Sequence, residues 1–155
     1  MVKPITPQEV NHECYVSFEV AKLLKEAGFD WKCNTKYSIS KVHERWYDDC
    51  RERMIDFEYE EGELFVPSLF YDRWSVNPEE NLISAPTLDV AQRWLREVMN
   101  LSVHVFMSPY QSEDKYKWAY SIIYEVCIER YITYEEAQEA GIKKCLEVIL
   151  ENKGK

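Results

Sequence analysis

The stretch that most constrains this chain is Ser84 to Phe106, SAPTLDVAQRWLREVMNLSVHVF, which carries a helix start, an apolar face, a stop and a following strand. Leu88, Ala91, Leu95 and Val98 recur at helical spacing, which sets all four on one face of an amphipathic helix with Trp94 at its border. Asp89, Gln92, Arg93, Arg96 and Glu97 fall largely on the opposite side. The hydroxyl of Ser84 or Thr87 can cap the start, Pro86 is tolerated in a first turn, and Asp89 complements the positive end of the helix dipole. Asn100 supplies the stop. Leu101, Val103 and Val105 then alternate with Ser102, His104 and Phe106 as in a strand. The expectation is that the rest of the protein packs on this helix.

Upstream, Ser17 to Phe29 predicts a shorter helix capped by Ser17, closed by Gly28 and buried through Phe18, Ala21, Leu24 and Ala27. Residues 36–42 alternate as a strand, and His43 to Arg53 is ambiguous between helical turn and loop. Met54 to Leu69 predicts a hairpin closed at Glu61-Gly62, with Asp56, Glu58, Glu60 and Glu63 sharing one face and Pro67 marking an edge. Downstream, Trp118 to Val126 alternates as one continuous strand. Thr133 with Glu136 makes a capping box for a last helix whose apolar stripe is Ala137, Gly141, Cys145 and Ile149, flanked by Ile142 and Leu146. SFEVA at 17–21 aligns with TLDVA at 87–91, a hint of a repeated helix-hairpin unit.

The 155 residues predict a single domain over 1–155, with a partly ordered arm at 1–16 and a frayed tail at 152–155. A hydrophobic fraction of 46 % excludes a disordered chain, and the 11 tyrosines suit half-buried strands or a contact surface. The formal charge of −9 repels nucleic acid, and no block of Lys and Arg offsets it. The 5 cysteines, Cys14, Cys33, Cys50, Cys127 and Cys145, form no CxxC pair and are odd in number, as expected of reduced thiols in a cytoplasmic protein. There is no apolar signal-like start and no run long enough to span a bilayer.

Several groupings carry donor chemistry. His12, Cys14, Cys33, His43 and Cys50 offer zinc-type donors, but without the close pairs that a structural site uses, so no metal or cofactor is expected. His104 shares a strand face with Ser102, and a partner strand can present Ser121 and Glu125 on that side, the groups of a nucleophilic site without any GxSxG elbow. Glu58 and Glu60, with Asp56 and Glu63, make an acidic face suited to a cation or a basic partner. Arg93, Trp94 and Arg96, with Lys115, Lys117 and Trp118, make a cationic and aromatic set of the kind that stacks on single-stranded nucleic acid.

SAPTLDVAQRWLREV, with SFEVAKLLKEAGFD upstream and WAY followed by YITYEEAQEAGIKKCLEVI downstream, resembles a family of small proteins found in gut anaerobic bacteria and their bacteriophages. That family has no established activity, so the resemblance implies a phage or prophage setting and carries over no catalytic residue. The expected fold is α+β, an antiparallel sheet of about five strands with two or three helices packed on it. The expected function is non-enzymatic: a cytoplasmic accessory factor that binds a protein partner. The alternatives are a small-ligand site or enzyme at His104 and Ser121, and a nucleic-acid binder through Arg93, Trp94 and Arg96.

Overall fold

The structure, a computed structural model, describes residues 14–39, 42–48, 52–65, 82–108, 115–123 and 125–154. In chain order the elements are α1 (Phe18–Ala27), β1 (Lys36–Ser38), β2 (Val42–Asp48), β3 (Arg53–Tyr59), β4 (Leu64–Phe65) and β5 (Leu82–Ser84), followed by α2 (Leu88–Val98), β6 (Val103–Met107), β7 (Trp118–Ile122), β8 (Glu125–Val126) and α3 (Tyr134–Lys153). The class is α+β, but the strands divide among three small antiparallel sheets, β4-β1-β5, β2-β3 and β6-β7-β8. The chain resolves into two compact units, Met1–Asn11 with Asp30–Ala85, and His12–Phe29 with Pro86–Lys155.

The second unit is organised on α3, not on α2 as the sequence suggested. This helix packs on β6 and β7 and also against α1 and α2. Its start is the expected capping box: Glu136 N donates to Thr133 Oγ1 at 3.1 Å, and the Glu136 carboxylate accepts from Thr133 N at 3.4 Å and Ile132 N at 3.2 Å. Ala137, Gly141, Ile142, Cys145 and Leu146 are buried as the spacing predicts, whereas Ile149 is half-buried. Gly141 sets the separation from the sheet. A methyl group there would stand 2.5 Å from Val103 Cγ1 and 3.2 Å from the Tyr120 ring, so the close approach requires a residue without Cβ. The expected frayed tail is instead helical to Lys153.

α1 starts at Ser17, whose hydroxyl accepts from Val20 N at 3.3 Å. It ends at Gly28, whose φ of 98° is the left-handed conformation that glycine adopts without strain. Gly28 N donates to Lys25 O, and Phe29 N to Leu24 O, so the buried Phe29 closes the turn as a Schellman contact. Val20, not Phe18, completes the buried face with Ala21, Leu24 and Ala27; Phe18 is half-buried beneath the Lys22 ammonium at 4.6 Å. α3 finishes both ends of α1. Glu139 Oε1 accepts from Ser17 N at 2.6 Å, and Lys153 Nζ donates to Ala27 O at 3.2 Å. The two helices therefore run parallel. The end of the N-terminal arm is tied down: Val16 is buried and its N–H donates to Pro86 O at 3.1 Å. Residues 1–13 lie outside the described residues.

α2 begins at Thr87, not Ser84, with Val90 N donating to Thr87 Oγ1 at 3.3 Å. Its buried face is Leu88, Ala91, Trp94 and Leu95, and Val98 is 51 % exposed. The expected stripe is thus rotated toward Trp94, because turning inward the largest apolar ring in the helix removes more surface from water than a valine would. Asn100 ends the helix at a φ of 58°, and Leu101 N returns to Leu95 O.

Two strand readings are corrected. Trp118 to Val126 is not continuous: Ile123 takes a φ of 52°, and the chain reverses so that Glu125 faces Ile122 and Val126 faces Ser121. The hairpin expected at Glu61-Gly62 does not pair β3 with β4. A turn does form there, but Ser38 N donates to Glu63 O and Gly62 N to Ser38 O, which directs β4 onto β1. β3 pairs instead with β2, formed by the ambiguous segment, and the register opposes Arg45 to Asp56 and His43 to Glu58. The helix-hairpin repeat also fails topologically. α2 leads into consecutive paired strands, whereas β1 after α1 pairs with β4 and β5. Among the described residues no helix is long and apolar enough to cross a membrane.

Candidate functional site

The cationic and aromatic set is taken apart by the fold. Trp94 is 0 % exposed, packed edge to face with Phe29 at a ring distance of 5.4 Å, and so offers no surface for a base to stack on. Its indole Nε1 is buried with no hydrogen-bond partner among the described residues, and a donor left so costs about 1 to 3 kcal/mol. Arg93 is exposed and its Nε lies 2.9 Å from Glu97 Oε1 one turn on, while Arg96 is exposed. Trp118 is half-buried against Tyr134, ring to ring at 5.4 Å.

His104 and Ser121 do come together as directly opposed residues of β6 and β7. His104 is exposed and Ser121 half-buried. Glu125 does not join them. The reversal at Ile123 inverts the parity of the following residues, so Glu125 pairs with Ile122 on the other face and Val126 occupies the place beside Ser121. The row across this face is His104, Ser121, Val126, which lacks the carboxylate of a nucleophilic triad.

Of the acidic group, Glu60 is exposed, and its N–H donates to Glu63 Oε2 at 2.9 Å within the turn. Glu58 and Asp56 are register partners of His43 and Arg45 in β3, so the four carboxylates are divided between a turn and a strand pair. Among the described residues no three His, Cys, Asp or Glu side chains are grouped to hold a metal ion. His12 and Cys50 lie outside those residues, while Cys14 is exposed and Cys33 buried.

Two features escaped the sequence reading. In the first unit, Lys36 is 1 % exposed at the centre of its sheet, and its Nζ donates to the buried Ser84 Oγ at 3.1 Å. Cys33 belongs to the same cluster. Burial pushes its thiol up to about 11, against the opposing pull of the Lys36 charge and the Ser84 hydroxyl. A serine beside a lysine can serve acyl transfer, but here both are shut away from solvent, and the contact satisfies buried polar groups. In the second unit, Gln138 is 2 % exposed and its Nε2 donates to Asp89 Oδ1 at 2.8 Å and Gln92 Oε1 at 2.7 Å. Gln92 in turn donates to Val103 O at 2.7 Å, fastening α3, α2 and the edge of β6 by one chain of amides.

The feature that packing does not explain is the β7–β8 hairpin. Ile123, Val126 and Ile128 are 57, 62 and 96 % exposed. Ile123, Ile122, Glu125 and Val148 line a cleft of about 230 Å³. A β-branched residue in the left-handed region costs on the order of 1 to 2 kcal/mol, and an exposed isoleucine recovers little of that by burial. Tyr131 returns to pair with Trp118, its N–H donating to Trp118 O at 2.7 Å, so residues 128–130 bulge outward between the two paired positions. Tyr131 OH donates to Glu129 at 3.0 Å, and burial, with this carboxylate adding to it, raises the phenol above its ordinary range. No local sequence signal marks the reversal at Ile123, since isoleucine is a strand former.

Comparison with protein-family models, with curated proteins and with solved structures finds no match.

Proposed function

We propose that this chain is a non-enzymatic protein-binding factor whose contact surface is the β7–β8 hairpin. The observation that carries the reading is Ile123, an exposed β-branched side chain held at a φ of 52° where glycine or asparagine would relieve the strain. Backbone strain of this kind concentrates at functional positions, and a glycine would make the same reversal without it. Val126 and Ile128 extend the same apolar surface, of the sort that marks protein interfaces. A cytoplasmic setting is supported by the free thiols of Cys14, Cys33, Cys127 and Cys145, and a phage or prophage accessory role by the SAPTLDVAQRWLREV resemblance.

The test compares the native chain with Ile123→Asn, which keeps the turn geometry and removes the apolar side chain. Immobilised native protein should retain at least one partner from a lysate of the source cells, and the variant should retain about tenfold less. Equal retention by both proteins would overturn the assignment of the hairpin.

A further inference from the structure

We infer that the occupant of this hairpin is an extended apolar segment of another protein bearing lysine or arginine at alternate positions, laid as an added strand along β8. The inference rests on the reading of the hairpin as a protein-docking surface and specifies what docks there.

Ile122 faces Glu125 in the register, and Cys127 N donates to Tyr120 O at 3.0 Å, the mark of a hydrogen-bonded pair two positions on. Val126 between them is therefore in a non-hydrogen-bonded pair with Ser121, and its N–H and C=O point away from β7. Among the described residues no strand pairs with β8 on that side. An unpaired edge of this kind is a template for an added strand.

Side-chain parity then sets the composition of that strand. One alternate set would meet Val126 on the face of Ser121 and His104, an apolar contact. The other set would meet the cleft lined by Ile122, Ile123, Glu125 and Val148. An apolar lining that includes one carboxylate matches a lysine or arginine, whose stem is apolar and whose head is charged. Charge favours the same choice. Glu125 and Glu129 flank the edge and Glu151 lies one turn from Val148 on α3, against Arg130 and Lys144 of opposite sign. A second copy of this chain, at −9, would bring one acidic edge against another.

The experiment titrates the full chain with a blocked peptide of about seven residues alternating lysine and valine, and with its glutamate-valine counterpart, observing backbone amides by NMR. The basic peptide should move the Val126 amide and bind at least about tenfold more tightly than the acidic one. Val126→Pro removes a donor that takes no part in the β7 ladder, and Glu125→Lys reverses the rim charge. Each should weaken the basic peptide by about fivefold or more, with the native spectrum of α3 retained. Equal binding of both peptides, or a concentration-dependent dimer abolished by Val126→Pro, would overturn the inference. If neither peptide moves Val126 while Ile123→Asn still loses its captured partner, the basic-strand occupant is wrong and the docking surface stands; loss of both results removes the surface as well.

Discussion

The centre of the β4-β1-β5 sheet and the tip of the β7–β8 hairpin invert the usual distribution of side chains in opposite senses. In the first, Lys36, Ser38 and Ser84 are polar groups shut inside. In the second, Ile123, Val126 and Ile128 are apolar groups left outside. The buried inversion is answered within the fold, because the ammonium finds a hydroxyl at 3.1 Å and the Ser38 backbone is paired on both sides of the turn at Glu61-Gly62. Nothing among the described residues answers the exposed one. An interior polar group with partners is architecture, whereas the strained apolar tip without cover is the feature from which we propose a docking surface.

Four measurements separate the two regions. Lys36→Ala should have the largest effect, lowering stability by about 3 kcal/mol in urea titrations, because it empties a buried site and strands its partners. A loss under about 1 kcal/mol would mean that the ammonium is not integral to that sheet. Next comes the pH response of Cys33. The unfolded thiol releases its proton near 9 and the folded one near about 11, so its contribution to stability is complete below pH 9 and is lost as pH rises through that window. Cys33→Ala should remove a loss on the order of 2 kcal/mol from the alkaline limb of the stability profile; parallel profiles would contradict the burial of the thiol. At the tip the sign changes. Ile123→Gly should stabilise the fold by about 1 kcal/mol, raising Tm, through relief of the left-handed strain. Smallest of all, Ile128→Ser should leave stability within about 0.5 kcal/mol of the native chain, and a larger loss would place Ile128 in the packing.

The helices were the most legible part of the sequence, because their signals are local. Ser17, Gly28, Thr133 and Glu136 all act within a turn of their own positions, and each does what its type predicts. Strand partners were hidden where pairing depends on residues far away. Glu61-Gly62 was recognisable as a turn, but which strand follows it home is decided by Ser38, more than twenty positions upstream. The reversal at Ile123 was invisible because isoleucine is a strand former, and no local rule foresees it at positive φ. For the same reason the alternation puts Glu125 beside His104 and Ser121, where the register places Val126. Spacing puts Trp94 at a helix border, because spacing alone cannot weigh a large ring against Val98 for the interior. Burial of Lys36 could not be anticipated, since an isolated lysine in an alternating stretch has the pattern of a solvated position.

α3 reaches back to both ends of α1, with Glu139 at its first amide and Lys153 at its last carbonyls. On the ribosome, α1 emerges early but waits for residues made more than a hundred positions later before either end is secured. Its greasy side must meanwhile be tolerated by the translating cell, so a nascent chain stalled short of Glu139 should be a better chaperone client and protease substrate than the released one.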